Sequence, residues 1–542
     1  MPGAALPLHG YSGGLPPKHF NLARYCLQRA AVRTPDKTAL LVVRDADLRI
    51  ENAERWTFAD LDLAVRRTAA GLLAEGFRPG ERLFLRLPDT SLFVLVFFGA
   101  IAAGIVPVPS SSQLTEAEAA FLLADSGAAG IALTGDLTLP ERALPPACRR
   151  VLDEAALARI IAADQLGAYA DTRAADEAFV IYTSGTGSRP KGVRHAHGSA
   201  WGRRPMHQGW QDIRPSDVVL HAGTFNWSYT LGVGLLDPWA KGATAVLYGG
   251  PRDVRVWPGL IEATGATLFA AVPSLFRQML KYCDLNRHSL RSLRHGLAAG
   301  EALSPAVLEG WRSATGKELY EAFGMSECST FVSNSPAMPI RPGSPGKPQA
   351  GRSIAILPVE GGIEPLPPGE VGLLAVHRTD PGLMLGYWHA PEAEKAAIRG
   401  PWFVSGDLAA FDGDGYVWTH GRADDVMNAG GFRVSPLEVE AALAEHPSVA
   451  DVAVAESAVR EDVRVITAFV VLKAGAASDA AAILRHADTR LAPYKRPRRI
   501  VFVDALPRTA NGKLRRRALA AGAGVRIDTS STIAGVFREQ DP

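Results

Sequence analysis

Short apolar runs rich in β-branched and aromatic residues alternate with longer stretches of helical spacing over most of the chain. Ala178–Thr183, Val218–His221, Thr244–Tyr248, Thr267–Val272 and Leu319–Phe323 are examples. Runs this short, bounded by turn residues, predict buried strands, and their alternation with helices predicts parallel sheets. Leu92 to Pro109 is almost unbroken apolar sequence, near the length of a membrane span. Gly99, Gly104, Pro107 and Pro109 interrupt it, however, and Asp89-Thr90-Ser91 offers a helix start with Gly104 as its stop. The segment therefore predicts a buried helix near Ser91–Ala103, then a core strand near Ile105–Val108, and no membrane span.

The pattern changes after Gly421-Arg-Ala-Asp424-Asp425. Leu437–Glu445 has amphipathic helical spacing, Val449–Val454 and Val465–Leu472 are strand-like, and Ala480–Arg490 is helical with Ser478 or Asp479 as its cap. These make a compact α+β unit of about a hundred residues, an ordinary small domain. The stretch from about Gly522 is polar and without pattern, and is expected to be poorly ordered. The expected fold class is therefore α/β: a large N-terminal domain of stacked, mostly parallel sheets with flanking helices (1–423), a small C-terminal α+β domain (424–525) and a tail (526–542).

Length agrees, because 542 residues exceed one hydrophobic core. Lys plus Arg number 58 against 56 for Asp plus Glu, which removes the electrostatic case for a nucleic-acid partner. Cys26, Cys148, Cys283 and Cys328 are scattered without metal-ligand or disulfide spacing, and the N-terminus lacks a signal pattern. A reducing, cytoplasmic location is expected; a homodimer is left open.

The richest chemistry follows the strand at Ala178. Thr183-Ser184-Gly185-Thr186-Gly187-Ser188 leads to Lys191-Gly192. Glycines let backbone N–H groups approach an anion, hydroxyls add donors, and Lys191 adds positive charge. The string is not an ordinary P-loop, since Lys191 is followed by glycine. Nor is it a dinucleotide fingerprint, since Pro190 stands where the third glycine belongs.

This loop resembles the signature of the adenylate-forming superfamily, which includes acyl- and aryl-CoA synthetases, with Gly187 standing where the usual string has a second threonine. Further segments match that superfamily in order. Ala299-Gly300-Glu301-Ala302 resembles the lining of its adenine pocket. Ala322-Phe323-Gly324-Met325-Ser326-Glu327 resembles the segment that touches the adenylate, with Glu327 as the Mg²⁺ ligand. Asp407 and Arg422 resemble its ribose contacts, and Arg433 its phosphate contact. Lys513, in Pro507-Arg-Thr-Ala-Asn-Gly-Lys513, resembles the lysine that offsets charge on the α-phosphate. The resemblance implies a C-terminal domain that rotates about a hinge at Asp424, bringing Gly430-Gly431-Phe432 to the pantetheine arm of coenzyme A.

The acyl pocket is expected around Phe225, Asn226, Trp227 and Tyr229, with Gly324. Amino-acid-activating relatives carry Asp where this chain has Asn226. A buried substrate ammonium without a counter-charge is costly, which argues against amino acids. Aryl-acid-activating relatives resemble this chain in having Asn there, and the aromatics could form a flat wall. Asp237-Pro238-Trp239-Ala240 also resembles medium-chain acyl-CoA synthetases. The expected activity is an AMP-forming acyl-CoA synthetase using ATP, Mg²⁺, coenzyme A and a small carboxylic acid, either a substituted benzoate or a medium-chain fatty acid. Loading of a carrier-protein thiol is the alternative within ligases; a nucleotide-binding pseudoenzyme is the alternative outside them.

Overall fold

The computed structural model describes residues 10–44, 48–135, 137–183, 190–251, 253–425, 427–429, 432–460, 463–508 and 514–520. Two compact units emerge. One comprises Met1–Ile354 with Val376–Phe403, and the other Ala355–Ala375 with Val404–Pro542.

The first unit is built on a nine-stranded sheet. Leu319–Met325, His295–Ala299, Leu268–Ala271, Val218–His221, Thr244–Tyr248 and Thr38–Val43 run parallel in that order. Antiparallel strands close each edge: Ser329–Ser333 and Lys347–Pro348 on one side, Glu54–Thr57 on the other. A second, four-stranded sheet is all parallel, in the order Val106–Pro109, Arg82–Arg86, Gly130–Leu133, Arg150–Leu152. The expected mostly parallel α/β architecture is thus present.

The apolar segment at 92–109 forms a helix over Ser91–Ala102 and a strand over Val106–Pro109. Twelve residues rise only about 18 Å, well short of a hydrocarbon core of about 30 Å. The helix is apolar on all faces because it is buried on all faces: Phe93 stacks on Phe225 at 5.1 Å and Phe98 meets Trp239 edge-on at 4.9 Å. Gly99 lets it approach its neighbour, since a methyl group there would lie 2.5 Å from the Thr68 side chain. Among the described residues no helix is long and apolar enough to cross a membrane.

A buried ion pair organises the centre of this unit. Arg203 donates to both oxygens of Asp237 at 2.7 Å, Gln211 donates at 2.7 Å, and His207 lies 3.2 Å from Asp237 Oδ1. Burial is the largest single influence and would raise the Asp237 carboxyl, but the charge of Arg203 and the hydrogen bonds from His207 and Arg203 together outweigh it and hold the group well below the usual carboxylate range. A one-turn π-helix, Gly232–Leu236, precedes Asp237. Glycine is required at 232, where a methyl group would lie 2.1 Å from Arg203 Nη2. Arg203 also donates to Ser329 Oγ.

In the second unit, Val449–Arg460 and Val463–Leu472 pair antiparallel and Arg499–Phe502 adds parallel to the latter. Helices Pro436–Ala444 and Ala480–Asp488 cover a core that includes Val439, Leu443, Val454, Ile466 and Ile483. Asp479 caps the second helix by accepting from Ala482 N–H at 2.9 Å. Arg516 donates to Glu440 and to the Val454 carbonyl, tying the last described helix to this core. The expected tail lies outside the described residues.

Removing Asp237 would leave the Arg203 guanidinium buried and uncompensated. Asp237→Ala is therefore expected to lower stability by about 3–5 kcal/mol, read from urea unfolding; a loss below ~1 kcal/mol would show that water or a rearrangement replaces the pair.

Candidate active site

The glycine- and hydroxyl-rich loop joins two strands of an antiparallel hairpin, Glu177–Thr183 and Lys191–Ala196, in which Thr183 lies opposite Lys191. The ends of the loop are thus pinned side by side. Ser184, Gly185, Thr186 and Gly187 lie outside the described residues. Tyr182 Oη donates to Asp125 at 2.5 Å and anchors the strand before the loop. A third strand, Gly386–Trp388, pairs with Lys191–Ala196 and sets Tyr387 opposite Val193.

Tyr387 links two of the expected site residues. Its hydroxyl donates to Glu327 Oε1 at 2.7 Å, and Lys191 Nζ lies 5.1 Å from its ring centre. Glu327 also accepts, through its carbonyl, from Met384 N–H at 2.6 Å. Glu327 sits in the turn between strands Leu319–Met325 and Ser329–Ser333, at the carboxyl end of the parallel sheet, where ligands of such sheets bind. Gly324 faces its own chain: a methyl group there would lie 2.4 Å from the Ser329 carbonyl oxygen. Ser329 itself is held at φ 66°. Ala322 is buried, while Phe323, Met325 and Ser326 are partly exposed on the same segment.

Gly300 has φ +95° and lies against Trp227, so the expected adenine segment and acyl segment touch. Glu301 accepts from Ser274 N–H at 3.3 Å; Ala302 follows, exposed. Leu303 N–H donates to Glu321 at 2.9 Å. Burial pushes the Glu321 carboxyl up to about 8, and this single N–H does not offset the loss of water. Glu321 is thus a neutral acid joining the 299–303 segment to the 319–327 strand. A charged residue inside an apolar run was its sequence signal.

Phe225 N–H is held by Asp89 at 3.1 Å. Trp227 and Tyr229 meet edge-on at 5.1 Å and belong to a core with Trp210 and Tyr320; the Tyr229 hydroxyl lies 3.3 Å from the Leu297 carbonyl. Asn226 is partly exposed as a residue, yet its side-chain oxygen is buried without a hydrogen-bond partner.

In the second unit, antiparallel strands Trp402–Phe411 and Val417–Arg422 set Asp407 opposite Arg422. Arg422 Nη1 is 3.6 Å from Asp407, and its Nε donates to Asp424 at 3.0 Å. The ribose and hinge candidates therefore share one guanidinium. The backbone of Phe432 and Arg433 pairs with Ala429 and Asn428. Gly430, Gly431 and Lys513 lie outside the described residues. The flanks of the lysine segment meet, with Arg508 bridged to Leu514 and Arg515 N–H donating to the Pro507 carbonyl at 2.8 Å.

Among the described residues no cluster of three His, Cys, Asp or Glu could hold a metal by itself. One carboxylate at a sheet end fits Mg²⁺ nonetheless, because Mg²⁺ is commonly bound through one or two carboxylates plus the phosphates of a nucleotide.

The AMP-binding enzyme family model matches residues 27–388, and its C-terminal domain model matches 438–513. The chain belongs to the AMP-binding enzyme family. Relatives within reach of this family member include the human mitochondrial acyl-coenzyme A synthetase ACSM5, 33% identical over 93% of this chain and 91% of its own length. The acyl–CoA ligase YtcI of Bacillus subtilis (strain 168) is 31% identical over 89% of this chain and 92% of its own. Among solved structures, the anthranilate CoA ligase AuaEII bound to anthranoyl-AMP is 30% identical with a TM-score of 0.86, covering 94% of this chain and 98% of its own. A benzoate CoA ligase from Burkholderia xenovorans LB400 is 31% identical with a TM-score of 0.82, covering 92% and 100%.

Because Glu321 keeps its proton when folded and releases it when unfolded, its contribution to stability is full at acid pH. It is lost as pH rises from the ordinary glutamate range to about 8. The unfolding free energy of the wild type, read from urea titrations, should therefore fall between about pH 5 and pH 8 by about 1.4 kcal/mol per pH unit, relative to Glu321→Gln. Parallel midpoints in the two proteins would count against a protonated Glu321.

Proposed function

We propose that the acid joined by this AMP-forming acyl- or aryl-CoA ligase is a small aryl acid carrying a hydroxyl or amino group on its ring. The buried, unpaired side-chain oxygen of Asn226 is the observation that carries this reading. An unsatisfied buried acceptor costs about 1–3 kcal/mol, which a ring O–H or N–H repays and a hydrocarbon tail does not. The neutral amide also disfavours an amino-acid ammonium. Similarity to anthranilate and benzoate CoA ligases supports an aryl acid.

In the proposed course, the substrate carboxylate attacks the α-phosphorus of ATP, diphosphate leaves and an acyl-AMP forms. The CoA thiol then attacks the acyl carbon and AMP departs. Thr183, Ser184, Gly185, Thr186, Gly187 and Lys191 hold the phosphates. Glu327 would hold Mg²⁺, which would supply neutralisation of phosphate charge. Asp407 and Arg422 hold the ribose, Arg433 the adenylate phosphate, and the ammonium of Lys513 offsets charge that builds on the α-phosphate. Residues 424–525 turn as a body about Asp424 to present Gly430, Gly431 and Phe432 to CoA. A cytoplasmic site of action fits four cysteines that are all free.

Two variants test the reading. Asn226→Leu should move preference from hydroxy- or aminobenzoates towards unsubstituted or aliphatic acids, measured as kcat/KM across a panel by CoA-dependent AMP formation; an unchanged ranking would retire the role given to Asn226. Lys513→Ala should slow diphosphate release by about 100- to 1000-fold while leaving thioester formation from supplied acyl-AMP near wild type. Equal losses in both steps would remove Lys513 from the first.

A further inference from the structure

We propose that Tyr387 is a positioning residue of the adenylation step: its phenol orients the Glu327 carboxylate for the divalent cation, and its ring keeps Lys191 from pairing with that carboxylate. The inference rests on the reading of Glu327 as the cation's ligand.

Tyr387 gains its place from the sheet. Gly386–Trp388 pairs with the strand that begins at Lys191, so the residue stands beside the phosphate loop although it follows Glu327 by 60 positions. The strand and the residues just before it grip the Glu327 turn twice, through Met384 N–H to the Glu327 carbonyl at 2.6 Å and through the phenol to Oε1 at 2.7 Å. The strand is fixed in turn by Glu394, which accepts from Tyr387 N–H at 3.3 Å. Glu394 also packs so close to Gly386 that a methyl group there would lie 2.3 Å from its Oε2.

The phenol occupies one oxygen of the carboxylate and restricts its rotation. Mg²⁺ demands near-octahedral geometry at about 2.0–2.1 Å, so a ligand held in one orientation binds it with less entropy to lose. The aromatic face has a second effect. Lys191 lies over it at cation–π distance and makes no ion pair with Glu327. The ammonium is thereby reserved for phosphate oxygens and the carboxylate for the cation, two opposite charges that would otherwise pair with each other.

Tyr387→Phe keeps the ring and removes only the phenol. It should raise the Mg²⁺ concentration for half-maximal diphosphate release by about 10-fold or more, while turnover at saturating Mg²⁺ stays within about threefold of wild type. Calorimetric ATP binding titrated with Mg²⁺ should show the same shift without any turnover. Tyr387→Leu, which also removes the face under Lys191, should in addition weaken ATP binding without Mg²⁺. Glu327→Gln separates the two layers of the argument. If Glu327→Gln shifts the Mg²⁺ requirement and neither Tyr387 variant does, the role of Tyr387 is overturned and Glu327 stands. If none shifts it, the reading of Glu327 fails and takes this inference with it. A loss of turnover equal at every Mg²⁺ concentration, or a lowered melting temperature with an unchanged Mg²⁺ requirement, makes Tyr387 a packing residue and overturns the proposal.

Discussion

The carboxylate of Asp237 must be paired, and much of the first unit follows from how that is done. Removing a charge from water costs several kcal/mol unless hydrogen bonds and an opposite charge replace the solvent. Arg203, His207 and Gln211 converge on it. The guanidinium reaches Asp237 by passing over Gly232, in a π-helical turn where a methyl group would lie 2.1 Å from its Nη2. Its remaining nitrogen then meets Ser329, held in the left-handed region. Satisfying one buried group therefore fixes the far end of the turn that carries Ser326 and Glu327. π-Helical turns are frequent at functional sites, and here the turn makes room for the side chain that braces the site.

Two carboxylic acids on that one segment have opposite fates. Glu321 lies within the sheet and meets a single N–H, so it keeps a proton and acts as a neutral tie to Leu303. Glu327 lies where the strands end, beside a phenol and within reach of solvent. The difference is one of depth along the same strand and turn. An acid at the carboxyl end of a parallel sheet can meet a ligand, and the hairpin of Glu177–Thr183 and Lys191–Ala196 brings Lys191 to the same place by way of Tyr387.

The ribose candidates in the second unit form a similar small circuit. Arg422 bridges Asp407 and Asp424, and Gly406 at φ +79° makes the space it needs, since a methyl group there would lie 2.9 Å from its Nη2.

Local composition sufficed for elements whose limits are set by local chemistry. Val218–His221 and Thr244–Tyr248 have the bounds their apolar runs imply, and the helix from Ser91 stops where Gly104 takes a positive φ. Where pairing partners set the limits, the pattern fell short: Leu319–Met325 and Val449–Arg460 run past their apolar residues because neighbouring strands continue the ladder. The same division holds at the site. Thr183, Lys191, Gly300, Glu327, Asp407 and Arg422 stand out in the sequence as candidates because phosphate, cation and ribose each demand particular side chains in a fixed order. Tyr387, the proton on Glu321 and the Arg203 brace were not, because each takes its meaning from a neighbour distant along the chain: Glu327, 60 positions from Tyr387, and Ser329, 126 from Arg203. The chemistry of a side chain is written in its type, but its partner, its burial and hence its protonation exist only once the sheets have closed around it.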